Sequence, residues 1–88
     1  MYTVTWTRSA SDQVAEIWMN ADSPLRNEIT RYIHTLDRHL RANADRLGES
    51  RKSGVRILTD KPLGIEYLVS EPDRLVTVVR VWGLRFET

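Results

Sequence analysis

The stretch VRILTDKPLGIEYLVSEPDRLVTVVRVW, residues 55–82, decides the fold. It divides into three runs rich in β-branched and aromatic residues: Val55 to Thr59, Ile65 to Ser70 and Leu75 to Trp82. Each has the length and composition of a strand. Asp60-Lys61-Pro62-Leu63-Gly64 separates the first two runs, and Glu71-Pro72-Asp73-Arg74 the last two. Both linkers carry turn chemistry, because proline presets φ for a first corner and Asp or Gly completes it. Consecutive strands joined this closely predict hairpins, and hence an antiparallel meander.

Working outward, Tyr2, Val4 and Trp6 alternate with Thr3, Thr5 and Thr7, a period of two that predicts an opening strand. Ser9 followed by Asp12 reads as a capping-box variant that starts a helix. Val14, Ile17, Trp18 and Ala21 form its apolar stripe, and it should end between Asn20 and Asp22. Ser23 as N-cap and Pro24 at the first helical position start a second, longer helix. Leu25, Ile29, Tyr32, Ile33, Leu36, Leu40 and Leu47 make its buried stripe, with Arg31, Asp37, Arg38 and Arg41 on the solvated side. The glycine-flanked polar segment 48–54 reads as a mobile loop. The order strand, helix, helix, three strands predicts an α+β fold, a helical hairpin on one face of a small sheet. With 88 residues, one domain over 1–88 is expected.

Composition narrows the chemistry. Apolar residues make up 41% and charged residues 28%, the balance of a globular protein rather than a disordered one. The absence of cysteine excludes disulfides, thiolate metal sites and a cysteine nucleophile. Apolar runs are too short to cross a bilayer, and Met1 to Trp6 lacks the basic start and apolar core of a signal peptide, so a cytoplasmic protein is expected. His34 and His39, five residues apart, do not share a helix face as a ligand pair would, and no metal or cofactor is expected. The net charge is only +1, yet Lys52 and Lys61 are the only lysines among 13 basic residues. The rest are arginines, whose planar fork grips phosphate or carboxylate with paired bonds.

That element order, at this length, resembles the RelE/ParE superfamily of toxins. Ile65-Glu66-Tyr67-Leu68-Val69 is similar to the family's strand of pattern R-hydrophobic-hydrophobic-Y-x-V. Residues 76–85, ending in Gly83, Leu84 and Arg85, resemble its closing strand, which runs into a Gly or His and a basic pair. The resemblance implies the toxin half of a type II toxin-antitoxin pair with a short antitoxin as partner. RelE-type members cut mRNA on the ribosome without a metal, using the RNA's 2′-hydroxyl and basic side chains that stabilise the crowded phosphate. On that reading Arg85 matches the basic residue beyond the last strand, and Arg56 lies near positions that hold lysines or an acid; both are candidate catalytic residues. Two features depart from the RNase pattern. The arginine usual three residues before the strand tyrosine is Gly64 here, and the tail that can carry a catalytic tyrosine or histidine is missing after Phe86-Glu87-Thr88. ParE-type members keep the fold without that set and inhibit DNA gyrase.

Further candidates rest on residue type and place. Arg51 and Lys52 form a basic pair in the predicted loop, suited to RNA phosphates or simply solvated. Arg80 and Trp82 on the closing strand are candidate substrate-binding residues, and Glu66 is a candidate proton acceptor or the partner of a cross-strand arginine. Trp6 and Trp18 fall on apolar stripes and are expected in the core. The leading expectation is a toxin that cuts mRNA on the ribosome, a metal-independent endoribonuclease; the alternatives are a non-enzymatic gyrase inhibitor and an inactive member that only binds its antitoxin.

Overall fold

The structure, a computed structural model, describes residues 1–84. Strand β1 (Thr3–Trp6) leads into helix α1 (Arg8–Met19) and helix α2 (Ser23–Asn43), followed by a single 3₁₀ turn at Ala44–Arg46. Strands β2 (Glu49–Lys52), β3 (Val55–Asp60), β4 (Leu63–Ser70) and β5 (Leu75–Gly83) then run as an antiparallel meander. β1 pairs in parallel with β5, giving a five-stranded sheet of order β1-β5-β4-β3-β2. The predicted α+β architecture, with the helices against one face, is what the chain adopts.

Three local readings are corrected. Segment 48–54 is no open loop: Glu49–Lys52 is an edge strand paired with β3. All four of its residues are exposed, so the alternation that marks a half-buried strand is missing from it. Helix α1 is capped by Thr7, whose hydroxyl accepts from Ala10 N at 3.0 Å, and α2 by Asp22, whose carboxylate accepts from Leu25 N at 3.0 Å. Thr7 stands two residues before the expected Ser9 and Asp22 one residue before the expected Ser23, because the first hydroxyl or carboxylate able to reach the free N–H groups takes the role. Trp18 lies outside the core, 40% exposed, with the Arg26 guanidinium 4.5 Å from its ring centre. Arg26 also donates to the carbonyls of Trp18 and Met19, so it closes the end of α1 as well as covering the indole.

The core lies between the helices and one face of the sheet. Ala10, Ile29, Leu36 and Leu40 pack onto Leu63, Ile65, Tyr67, Val76, Val78 and Val81. Leu40, Leu63, Ile65, Val76 and Val78 have no measurable exposure, and each contributes about 1.5–3 kcal/mol through burial. Gly48 makes the turn into β2 with φ +64°, and a Cβ there would come within 2.2 Å of the Ile57 carbonyl oxygen. Only glycine satisfies both demands. The other sheet face carries no helix among the described residues, as antiparallel sheets allow. Leu68 on that face is 41% exposed.

Candidate functional site on the open sheet face

A bulge builds this face. Val76 and Val78 point into the core, so unbroken alternation would send Arg80 and Trp82 there too. The register breaks between Glu66 and Tyr67: Tyr67 pairs with Val78, Glu66 with Arg80, and Val79 is the extra residue. The bulge reverses the phase of the strand. Val81 takes the core position, and Arg80 and Trp82 come out on the open face.

There the two side chains meet a third and a vacant place. Arg80 Nε donates to Glu66 Oε1 at 3.0 Å, and the Arg80 guanidinium lies 4.8 Å from the Trp82 ring centre. Trp82 is paired with Gly64 across the strands. A Cβ on Gly64 would fall 2.4 Å from Trp82 Cε2 and 2.5 Å from its ring nitrogen, so the indole occupies the space a side chain would fill. Glycine at position 64 is thus the seat of Trp82. An arginine cannot be placed there without displacing the indole. The result is an apolar plate with a cation against it, and the cation is held by a carboxylate.

Arg56 points the other way. It is the cross-strand neighbour of Tyr67, so it shares the helix-covered face. Its Nε donates to Leu47 O at 2.7 Å and its Nη2 to Gly48 O at 3.3 Å. Tyr67 OH meets the same carbonyl of Leu47 and that of Ala44, both at 2.9 Å. Together they satisfy the carbonyls left free where the helical segment ends. Burial pushes the Tyr67 phenol up, with the Arg56 charge opposing. Arg56 therefore lies across the sheet from Arg80. Alternation could not decide its face, since Arg56 is flanked by apolar residues on both sides in Val55-Arg56-Ile57-Leu58.

Arg51 and Lys52 lie on β2 at the far edge, with Arg51 Nη2 3.3 Å from Glu49 Oε2. Three interstrand steps, roughly 14 Å, separate β2 from β5, too far to share one phosphate with Arg80. Arg85 lies outside the described residues. No cluster of potential metal ligands occurs among the described residues. Sequence reasoning missed Gly64 as a seat, Val79 as a bulge, and Gln13, whose Oε1 accepts from Val81 N at 2.7 Å. Only the first had a signal, a glycine inside a strand pattern.

No protein-family model and no curated protein sequence matches the chain. Solved structures do. A chain of the chromosomal ParDE toxin-antitoxin system from P. aeruginosa superposes with a TM-score of 0.75 at 20% identity, covering 97% of this chain and 98% of that one. The RelBE2 toxin-antitoxin complex from Mycobacterium tuberculosis gives 0.73 at 17% identity, covering 94% and 91%. The isolated E. coli RelE toxin gives 0.57 at 13% identity, covering 99% and 88%. With the strand order and the helical hairpin already described, these similarities identify the fold of this chain as that of the RelE/ParE toxins.

Proposed function

We propose that the chain is the toxin of a type II toxin-antitoxin pair, held in check by an antitoxin. We further propose that it acts by binding a protein target, in the manner of the ParE-type gyrase inhibitors, rather than by cutting mRNA on the ribosome. The observation that carries this reading is the division of the candidate basic residues in the described part of the chain, Arg56, Arg80, Arg51 and Lys52. Stabilising a crowded phosphate needs several donors converging within about 3 Å of its oxygens. Here Arg56 is bonded to carbonyls on the helix face, Arg80 is paired with Glu66 on the open face, and Arg51 and Lys52 stand on the remote edge. Glu66, the candidate proton acceptor, is already engaged by Arg80, whose Nε donates to its Oε1 at 3.0 Å.

What the open face offers is a binding surface. Tryptophan and arginine dominate the energetics of protein interfaces, and Trp82 and Arg80 stand here side by side on a rigid sheet. The test is induced expression in a bacterial host, with and without a second gene that encodes a candidate antitoxin. Growth arrest with relaxed plasmid and intact message, relieved by the second gene, supports the reading. Arrest with cleaved message replaces it by the ribonuclease, and harmless expression removes both.

A further inference from the structure

The arginines of α2 fall into two kinds. Arg26 donates to the carbonyls of Trp18 and Met19, and Arg41 Nε lies 2.8 Å from Asp37 Oδ2. Arg31 and Arg38 are exposed and meet no acceptor, carboxylate or ring among the described residues. At 3.6 residues per turn, Asn27, Arg31, His34 and Arg38 fall within about 60° of arc, opposite the buried Ile29, Leu36 and Leu40. All four are exposed, so they form one ridge directed away from the sheet. No acidic residue stands on that ridge. Glu28 lies three residues before Arg31, a spacing at which charges pair on a helix, yet no ion pair joins them. Asp37, on the other flank, is taken by Arg41. The ridge is a line of uncompensated positive charge on a chain whose net charge is only +1.

Its occupant follows from what the ridge holds and what it lacks. Guanidinium forks grip carboxylate or phosphate equally well, but a protein interface also needs an apolar centre that excludes water from its contacts. Between Asn27 and Arg38 there is none, because the bordering positions are Glu28, Thr30, Thr35 and Asp37. A phosphate polymer needs no such centre. Seven residues separate Arg31 from Arg38, a rise of about 10 Å along the axis, and the major groove of B-form DNA is about 12 Å wide. Each fork can take a phosphate on its own side of the groove, with α2 lying across it. The carboxylates of Glu28 and Asp37 on the flanks repel the strands and keep the helix from sinking between them, so the contact reads no base edges. The deep, narrow major groove of A-form RNA does not offer that spacing.

We infer that the outer ridge of α2, with Arg31 and Arg38 as its two anchors and Asn27 and His34 as further donors, binds the phosphate backbone of duplex DNA without regard to sequence. The ridge lies on the opposite side of the molecule from Trp82 and Arg80. The chain can therefore hold a protein on its open sheet face and DNA on its helical face at once. The inference goes beyond the function proposed above and does not depend on it, although a protein target that works on DNA would bring both surfaces into use together.

The test titrates the full chain alone into a short fluorescein-labelled DNA duplex of arbitrary sequence and reads fluorescence anisotropy at several salt concentrations. Two phosphate contacts predict a slope of log affinity against log salt of about −1.8, a loss of about tenfold between about 50 and 200 mM salt. Arg31→Gln and Arg38→Gln each reduce the slope by about one and weaken binding severalfold at low salt, and the double variant shows no measurable binding. Neither side chain has a partner to lose, so circular dichroism and melting temperature match the wild type in all three. Lys52→Gln removes the same charge from the exposed edge strand β2 and keeps the wild-type slope. A loss in Lys52→Gln as large as in Arg31→Gln overturns the inference, because binding would then follow net charge rather than the ridge. So does an absence of binding at the lowest salt, a double variant with the wild-type slope, or tighter binding of duplex RNA or of polyglutamate. None of these results bears on supercoiling or on message cleavage, so the function proposed above stands or falls separately.

Discussion

Replacing Arg56 with glutamine separates a structural arginine from a catalytic one. The substitution removes the 2.7 Å bond from Nε to Leu47 O and the longer, exposed one to Gly48 O. A hydrogen bond to a charged donor contributes about 1.5–3 kcal/mol when buried, and this one is half-buried. The Leu47 carbonyl also keeps Tyr67 OH at 2.9 Å, so it is not orphaned. Both facts put the loss at the low end, about 1 kcal/mol, or roughly 4–8 °C in the melting temperature of a domain this size. Tyr67→Phe likewise leaves Arg56 on Leu47 O, but it also takes the hydroxyl from the buried Ala44 carbonyl, so its loss is the larger of the two. The double variant Arg56→Gln/Tyr67→Phe leaves that carbonyl with neither donor and costs about 1 kcal/mol more than the two single losses added together. Thermal unfolding followed by circular dichroism measures all three. Strict additivity, or an unchanged melting temperature in Arg56→Gln with toxicity abolished, would refute the structural assignment.

Gly64→Ala drives the indole of Trp82 off its seat, since a Cβ there comes within 2.4 Å of the ring; a loss of about 1–3 kcal/mol is expected, with tryptophan emission shifted to the red. Wild-type stability and emission would mean that Trp82 does not rest on Gly64. Tyr32 OH is buried with no hydrogen-bond partner among the described residues, and burial first, then Asp60 and Tyr67, push its pKa up to about 12. The raised folded-state pKa means that stability from the neutral phenol is complete below pH 10 and is lost as pH rises from about 10 through 12. Tyr32→Phe is therefore neutral or stabilising by up to about 1 kcal/mol at neutral pH and flattens the alkaline limb of a stability-against-pH curve. Glu66→Gln releases Arg80 from an exposed pair and changes stability by less than about 1 kcal/mol, while a larger loss in thermal melts would contradict its surface character.

The fold was legible because its signals are local. Turn residues separate the strands at Lys61-Pro62, a tighter corner than the predicted 60–64, and at 71–74, and the apolar stripe from Ile29 to Leu40 marks α2. The site was less legible because it depends on phase. One extra residue, Val79, decides that Arg80 and Trp82 face outward, and nothing in a run of valines marks it. Arg56 was legible as a strand arginine but not as a partner of the Leu47 and Gly48 carbonyls, which lie nine and eight residues earlier and meet it only once β2 has turned back. Glu49–Lys52 became a strand through pairing with β3 rather than through a pattern of its own. Gln13 and Val81, 68 residues apart in sequence, meet only through the parallel crossover of α1 and α2.

The most direct test of the central claim is a titration of purified protein into a DNA gyrase supercoiling reaction, run beside a translating extract whose message is mapped by primer extension. The account predicts loss of supercoiling that rises with added protein and saturates near one chain per target site, with the message intact at the same concentrations. Undisturbed supercoiling together with new 5′ ends inside the message would contradict it.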